Sequence, residues 1–409
     1  MLNSTYPATA EEKHWLNNSE PAVIALEIGK KHPAPAERTS TIIYDKKQLS
    51  RVMLRRRFNV WTLALKQTKN PFEAYSIIQS IQGLTDFNLG KPVKKLVEVD
   101  GKYHTMPGSP AWPSSSFDQY IFTELNRLNK IKEHKAALRS MFLAVTDKNA
   151  AAADLQQKGK SGQKDCLSLE QLKTIVQKLQ EEGVMQIQLG GGEPLLRFDE
   201  ILELLTSARK GTDFWLTTSG QGLNQEKANA LKEAGLVGVS LNLDHFDPDK
   251  YNTQRGYKHA YGWVLKAAEC IRKAKLVLCL NLNATKGFVT EENLYKYARL
   301  AKKIGVSFIN IIDPQTSLQS QQREEQLSVE QQKVLETFVE TMNYEETYLD
   351  WPLVNYHCSK QQHTAAGAGL SDSFLYIDAK GDIHAGFNAK KKVGNVLNDR
   401  LPLSLSKFK

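Results

Sequence analysis

The residues best suited to chemistry stand at the ends of short apolar runs. Met185 to Leu189 leads into Gly190, Gly191, Gly192, Glu193 and Pro194. Glycines there let the backbone approach a ligand with no Cβ in the way, and carbonyls and a carboxylate can accept hydrogen bonds from an ammonium group. Thr217-Thr218-Ser219-Gly220 closes a second run. Asn242, within Ser240-Leu-Asn-Leu-Asp-His245, can both donate and accept, and Arg255, just before Gly256, can grip a carboxylate in a fork. Each has a structural alternative: a turn kept for its geometry, an asparagine capping a polar mouth, an arginine paired with Asp244 or Asp247. Asp244, His245 and Asp247 have the residue types of a metal or acid/base cluster, but no G-x-S-x-G elbow, phosphate loop or H-E-x-x-H pair accompanies them.

Composition narrows the field. With 409 residues, 41% hydrophobic and 24% charged, the chain can build a barrel-sized domain with smaller flanks. Its 54 basic and 45 acidic residues give +9, which permits an acidic partner or a membrane surface but is spread too widely to argue for nucleic acid. No apolar run approaches the ~18 residues of a spanning helix, and a cytoplasmic location is expected. Cys166, Cys270, Cys279 and Cys358 are far apart, and His357-Cys358 is at most half a metal site.

These residues need a frame. Strands are predicted at 141–147, 185–190, 213–219, 237–244, 276–284 and 306–313, alternating with helices at 168–182, 198–210, 224–235, 258–274, 290–304 and 328–341. Ser168 with Gln171, and more weakly Thr290 with Asn293, mark helix starts. Upstream, residues 1–40 read as a flexible arm and 41–136 as an extension. The extension holds a basic amphipathic helix with Leu54, Phe58, Trp61 and Leu65 on one face and Arg55, Arg56 and Arg57 beside it. A hairpin follows at 95–104, turned at Asp100-Gly101, then a linker at 106–116 and a helix at 117–130. The barrel is expected at 137–343. A second extension fills 344–409, with a hairpin at 372–385 turned at Lys380-Gly381-Asp382.

The glycine turn directly after the second strand, the strand 141–148, the segment 236–256 and the stretch 372–396 together resemble the radical SAM superfamily, in its SPASM or twitch-type peptide-modifying branch. The resemblance implies an α/β fold, a partial (β/α)6 TIM-type barrel with an α+β N-terminal extension and a small C-terminal β-hairpin extension. It also implies S-adenosylmethionine (SAM) contacts from Gly191, Gly192, Glu193, Pro194, Ser219, Asn242 and Arg255. Strand 278–284 lacks the glycines of the adenine-side motif. The family holds a [4Fe-4S] cluster on CxxxCxxC after the first strand. Aligned on Thr146 and Lys148, those positions are Asn149, Ala153 and Gln156, and the extension's cysteine positions are Ala365, Gly386 and Ala389. Amides and methyl groups do not replace thiolates on iron.

The expectation is therefore a protein with no cluster, no metal, weak SAM binding and no catalytic residue of a radical enzyme. It would be a partner or peptide-binding subunit for a cysteine-complete relative or a precursor peptide, docking through the helix of Phe58 and Trp61 or the hairpin 374–384. The alternatives are a SAM-dependent enzyme of the superfamily acting on a peptide or small molecule, and a peripheral-membrane adaptor.

Overall fold

A computed structural model describes residues 40–76, 87–88, 91–128, 140–148, 167–312, 327–357, 374–384 and 392–398, all within the unit Thr39–Lys409. The expected arm and the positions Asn149, Ala153, Gln156, Ala365, Gly386 and Ala389 lie outside the described residues.

The extension begins with β1 (Ser40–Ile43) and α1 (Lys46–Thr68), whose N-cap Asp45 accepts from the Gln48 N–H at 2.9 Å. The expected hairpin is present as β2 (Leu96–Val99) and β3 (Lys102–His104), joined by Asp100 and Gly101 at φ 52° and 72°. Two positive φ values in succession suit a tight two-residue hairpin turn. β1 completes this small antiparallel sheet on the other side of β2. α2 (Ser115–Leu128) packs Phe117, Ile121 and Leu125 against Val60, Leu63 and Ala64 of α1.

The apolar face read from the sequence of α1 is divided between the core and the surface. Val52, Arg56, Val60, Leu63 and Ala64 turn inward, Trp61 and Leu65 are half-buried, and Leu54 and Phe58 are 68% and 63% exposed. Two apolar stripes of helical period run along this helix, and a charged residue disguises the core-facing one. Arg56 is buried in that stripe with its Nε included, at 5% exposure.

The main sheet follows in βα order: β4 (Ser140–Thr146), α3 (Leu169–Glu181), β5 (Gln186–Gly191), α4 (Phe198–Ser207), β6 (Asp213–Thr218), α5 (Gln225–Glu233), β7 (Leu236–Asn242), α6 (Pro248–Arg255), α7 (Ala260–Lys273), β8 (Val277–Asn283), α8 (Glu291–Lys303), β9 (Phe308–Ile312), α9 (Val329–Tyr344) and β10 (Leu353–His357). Both expected helix starts are realised, α3 with a full capping box and α8 with Thr290 accepting from the Asn293 N–H. β4 through β10 pair in parallel, each with its sequence neighbour. Six strands were expected and a seventh is present. β10 follows α9 after a single 3-10 turn, and its run from Leu353 is short enough to pass for loop. The C-terminal hairpin does not stand apart. Its first strand, β11 (Phe374–Ile377), pairs in parallel with β4, while β12 (Asp382–His384) and β13 (Lys392–Asn395) continue the same sheet.

Strand alternation gives this sheet two faces. Leu143, Leu189, Leu216, Leu241, Leu280 and Ile309 meet the helices in the principal core. On the opposite, lumenal face, Trp215, Val277, Cys279, Phe308 and Leu353 pack with Val97 and Val99 of β2, so the N-terminal sheet closes the end of the lumen where these strands begin. Lys95 fastens this closure. Its buried Nζ donates to the carbonyls of Met342 (2.7 Å), Trp351 (2.8 Å), Tyr348 (3.0 Å) and Pro352 (3.2 Å). Burial pulls its pKa down to about 7 against the pull of Asp350.

His104 lies in the same layer against Phe308, 2% exposed, and its Nδ1 has no hydrogen-bond partner. Burial, with Lys102 and Lys232 adding to it, pushes its pKa down to about 3. An unfolded imidazole titrates near ~6.5, so below that pH the unfolded chain binds a proton that the folded chain refuses. Stability from this group is complete above pH ~6.5 and is lost as pH falls toward the folded value. Denaturant melts should show His104→Leu losing about 2 kcal/mol less than the parent between pH 7 and pH 5. Equal losses would refute the assignment.

Candidate functional site

The glycine turn is held by the end of β4. The Gly192 N–H donates to the Thr146 carbonyl at 2.9 Å and the Glu193 N–H to the Lys148 carbonyl at 2.7 Å. A Cβ at Gly190 would lie 2.3 Å from the Phe142 ring, one at Gly191 (φ 117°) 2.2 Å from the Thr146 oxygen, and one at Gly192 2.0 Å from the Lys148 oxygen. The atoms that exclude side chains are therefore this protein's own. Pro194 opens a 3-10 turn, Pro194–Arg197, that is buried except at Leu196 and ends in an anchor. Arg197 donates from Nη1 to the Val145 carbonyl (2.6 Å) and the Leu167 carbonyl (2.9 Å), and it pairs with Glu200. That one guanidinium ties together the two ends of the segment between β4 and α3.

Glu193 is 3% exposed, and both its oxygens are occupied. Oε1 accepts from the Thr218 hydroxyl (2.5 Å) and the Leu195 N–H (3.1 Å), and Oε2 accepts from the Ser219 N–H (3.0 Å) and the Ser219 hydroxyl. Four donors on one carboxylate lock the end of β5 to the end of β6. In this arrangement neither Glu193 nor the Ser219 hydroxyl is directed first at a ligand.

Arg255 realises its structural alternative. Its Nη2 donates to Asp244 Oδ2 at 2.9 Å, its guanidinium lies 5.3 Å from the centre of the Tyr251 ring, and its Nε is buried without a partner. Burial works against its charge, but Asp244, Tyr251 and Glu193 outweigh it and hold the pKa up. Asp244 Oδ1 accepts from the backbone and side-chain N–H groups of Asn283, at 3.1 and 2.8 Å. The rest of the supposed acid/base cluster is structural. Asp247 caps α6 through the Lys250 N–H, and its own N–H donates to His245 Nδ1 at 2.9 Å. Burial and Lys250 keep the imidazole pKa low. Among the described residues no group of three or more His, Cys, Asp or Glu is placed to hold a metal.

Asn242 belongs to an array that reading one residue at a time misses. In register across four strands, Asn281 Nδ2 donates to Asn242 Oδ1 (3.2 Å), Asn310 Nδ2 to Asn281 Oδ1 (3.1 Å) and Asn355 Nδ2 to Asn310 Oδ1 (3.1 Å). On the adjoining strands β5 and β6, Gln188 Nε2 donates to the Thr217 hydroxyl at 2.7 Å. The signal was present in the sequence: Leu241-Asn-Leu243, Leu280-Asn-Leu282, Ile309-Asn-Ile311 and Val354-Asn-Tyr356 place one amide at the same height of each strand. Only the strands' mutual register converts that repeat into a ladder.

The remaining sequence candidates are dispersed. Cys270 is on α7 and Cys279 on the lumenal face of β8, both buried. Burial pushes the Cys270 thiol up and the Cys279 thiol to about 12. Tyr376 of β11 stacks between Phe142 and His384, with ring centres 5.6 and 5.8 Å away, and is thus part of the sheet's own packing. Trp61 is likewise half-buried beside Phe58.

Comparison with known proteins gives this arrangement a context. The model of the Radical SAM superfamily matches residues 154–301. A GTP 3',8-cyclase of Alkaliphilus oremlandii (strain OhILAs) is 32% identical over 160 residues, 37% of this chain and 48% of that protein. The chain spans about half the length of the curated relatives it matches. Among solved structures, Streptococcus suis SuiB bound to S-adenosylmethionine is similar at TM-score 0.50 and 13% identity, with 71% of this chain and 70% of that chain covered. SuiB bound to the precursor peptide SuiA gives a TM-score of 0.49 at 13% identity, with 83% and 79% covered. At 13% identity the first of these two likenesses speaks for the fold alone.

Proposed function

Because the chain is a member of the radical SAM superfamily, whose cofactors are SAM and a [4Fe-4S] cluster, we propose that it is a member that has given up the cluster and serves as a non-catalytic partner or peptide-binding subunit. One feature of the sequence supports this reading: aligned on Thr146 and Lys148, Asn149, Ala153 and Gln156 fall at the positions where the family's motif has its three thiolates. The donor set does not fit iron. Nor do Cys270 and Cys279 supply a substitute, since both are buried and their thiols are held in the protonated form. No step is assigned through the cluster.

SAM fits the remaining residues only in part. Glu193 is saturated by protein donors, Asn242 Oδ1 accepts from Asn281, the Gly192 and Glu193 N–H groups are bonded to β4 and its end, and Arg255 is paired with Asp244 with its Nε left unpartnered, so few polar groups remain for a ligand. A polar contact nets only ~1 to 3 kcal/mol against water, so a few of them without iron give poor affinity. Calorimetry is expected to show no saturable SAM binding in the micromolar range, and Arg255→Ala should leave the trace unchanged. Micromolar binding abolished by Arg255→Ala would overturn this.

The partner we infer is a cysteine-complete radical SAM protein or a precursor peptide, and the support is the hairpin β11–β12 built onto the barrel sheet beside β4. Affinity capture from the native host, with Lys380→Ala at the exposed hairpin turn as control, tests it; recovery of no stable partner together with SAM cleavage by the purified protein would defeat it. A second reading, a SAM-dependent enzyme of the superfamily, is favoured by relatives that carry the name GTP 3',8-cyclase. Its radical form requires iron, which anaerobic incubation of the parent chain with iron and sulfide tests; a form without the cluster requires SAM binding, which the calorimetry tests.

A further inference from the structure

The outward face of α1 points to a use independent of the barrel, and we propose that it docks the protein on an anionic lipid bilayer. Lys46–Thr68 contains several lysines and arginines and no acidic residue. At 100° per residue Lys47, Arg51, Leu54 and Phe58 fall on one strip, with Arg55 and Arg57 on its flanks, opposite the buried Val52, Val60 and Leu63. All six of these strip and flank residues are exposed. Among the described residues no acidic side chain pairs with Lys47, Arg51 or Arg55, so this charge is presented outward.

Shape and charge together choose the occupant. Leu54 and Phe58 protrude, 68% and 63% exposed, on a convex helical ridge. A peptide partner is held by a groove or by a free sheet edge, where it can bury its own side chains or backbone. A ridge of apolar side chains flanked by arginines suits the headgroup boundary of a bilayer instead, where the apolar groups enter the acyl region and the guanidiniums remain among the phosphates. Further along the chain Phe72 and Tyr75 are also exposed, 86% and 61%, while Ala74 between them packs under α1 and α2. Among the described residues no helix is long and apolar enough to cross a membrane.

Flotation of the full chain with vesicles of phosphatidylcholine containing about 30% phosphatidylserine tests the proposal, with pure phosphatidylcholine as the reference. Binding is expected to the mixed vesicles alone, and to fall steeply with added salt. Arg51→Gln with Arg55→Gln should weaken it about thirtyfold, since each basic residue at a charged surface contributes a factor of roughly five. Leu54→Ser with Phe58→Ser should weaken it about tenfold. Both pairs are solvent-facing, and circular dichroism should confirm unchanged helix content. Absence of binding to the mixed vesicles, or binding indifferent to both pairs, overturns the proposal. So does binding of polyglutamate with the same sensitivity to substitution but no vesicle binding, which would make the ridge a site for an acidic chain.

Discussion

Asn149→Cys, Ala153→Cys and Gln156→Cys together are expected to let this protein assemble a [4Fe-4S] cluster that the parent chain does not hold. After anaerobic incubation with iron and sulfide, the parent should retain well under one iron per chain, while the triple variant should approach about four, with a broad visible charge-transfer band. The reason is the chemistry of the donors. Iron in such clusters is held by soft, deprotonated sulfur, and an amide or methyl group supplies none. The surroundings for a restored cluster remain: Arg197 clamps Val145 and Leu167, the residues on either side of the ligand segment, and the turn at 190–193 is bonded to Thr146 and Lys148. Near-stoichiometric iron in the parent, lost on replacing Cys166 or Cys358, would overturn the reading of the whole site.

Glu193→Ala should destabilise the fold by about 4 kcal/mol, whether or not SAM is present. The substitution removes the acceptor of four donors from a site where water has little access, and each hydrogen bond to a charged, buried group contributes about 1 kcal/mol or more. Leu195, Thr218 and Ser219 would be left with donors aimed at a void. Chemical denaturation of parent and variant, each with and without added SAM, measures this. A variant that keeps parental stability but loses SAM affinity would make the carboxylate a ligand group instead.

Where the sequence could be read, short-range physics was enough. The capping box of Ser168 and Gln171, the Asp100-Gly101 turn and the strands before and after the glycine turn depend on residues a few positions apart. What could not be read depends on partners brought together by the sheet. Glu193 and Ser219 meet only because β5 and β6 are neighbours, and the four asparagines meet only in register. Arg255 could be narrowed to Asp244 or Asp247, but the choice turns on α6, which Asp247 begins and Arg255 ends. In α1 the sequence groups Arg56 with Arg55 and Arg57, and only the packing against α2 shows that Arg56 belongs to the buried stripe.

The parallel pairing of β11 with β4 also sets a schedule. Phe142 lies opposite Tyr376, so β4 leaves the ribosome long before one of its two neighbours exists. From the completion of β5 until the hairpin is synthesised, β4 offers an unpaired edge, with Phe142 and Ala144 lacking the cover of Tyr376 and Ala379. Unpaired edges beside apolar side chains recruit other strands, and pairings this distant along a chain form slowly. During translation the nascent protein must therefore keep that edge shielded, and a message truncated before residue 374 would yield a chain whose sheet stays open at β4, the strand that holds the glycine turn.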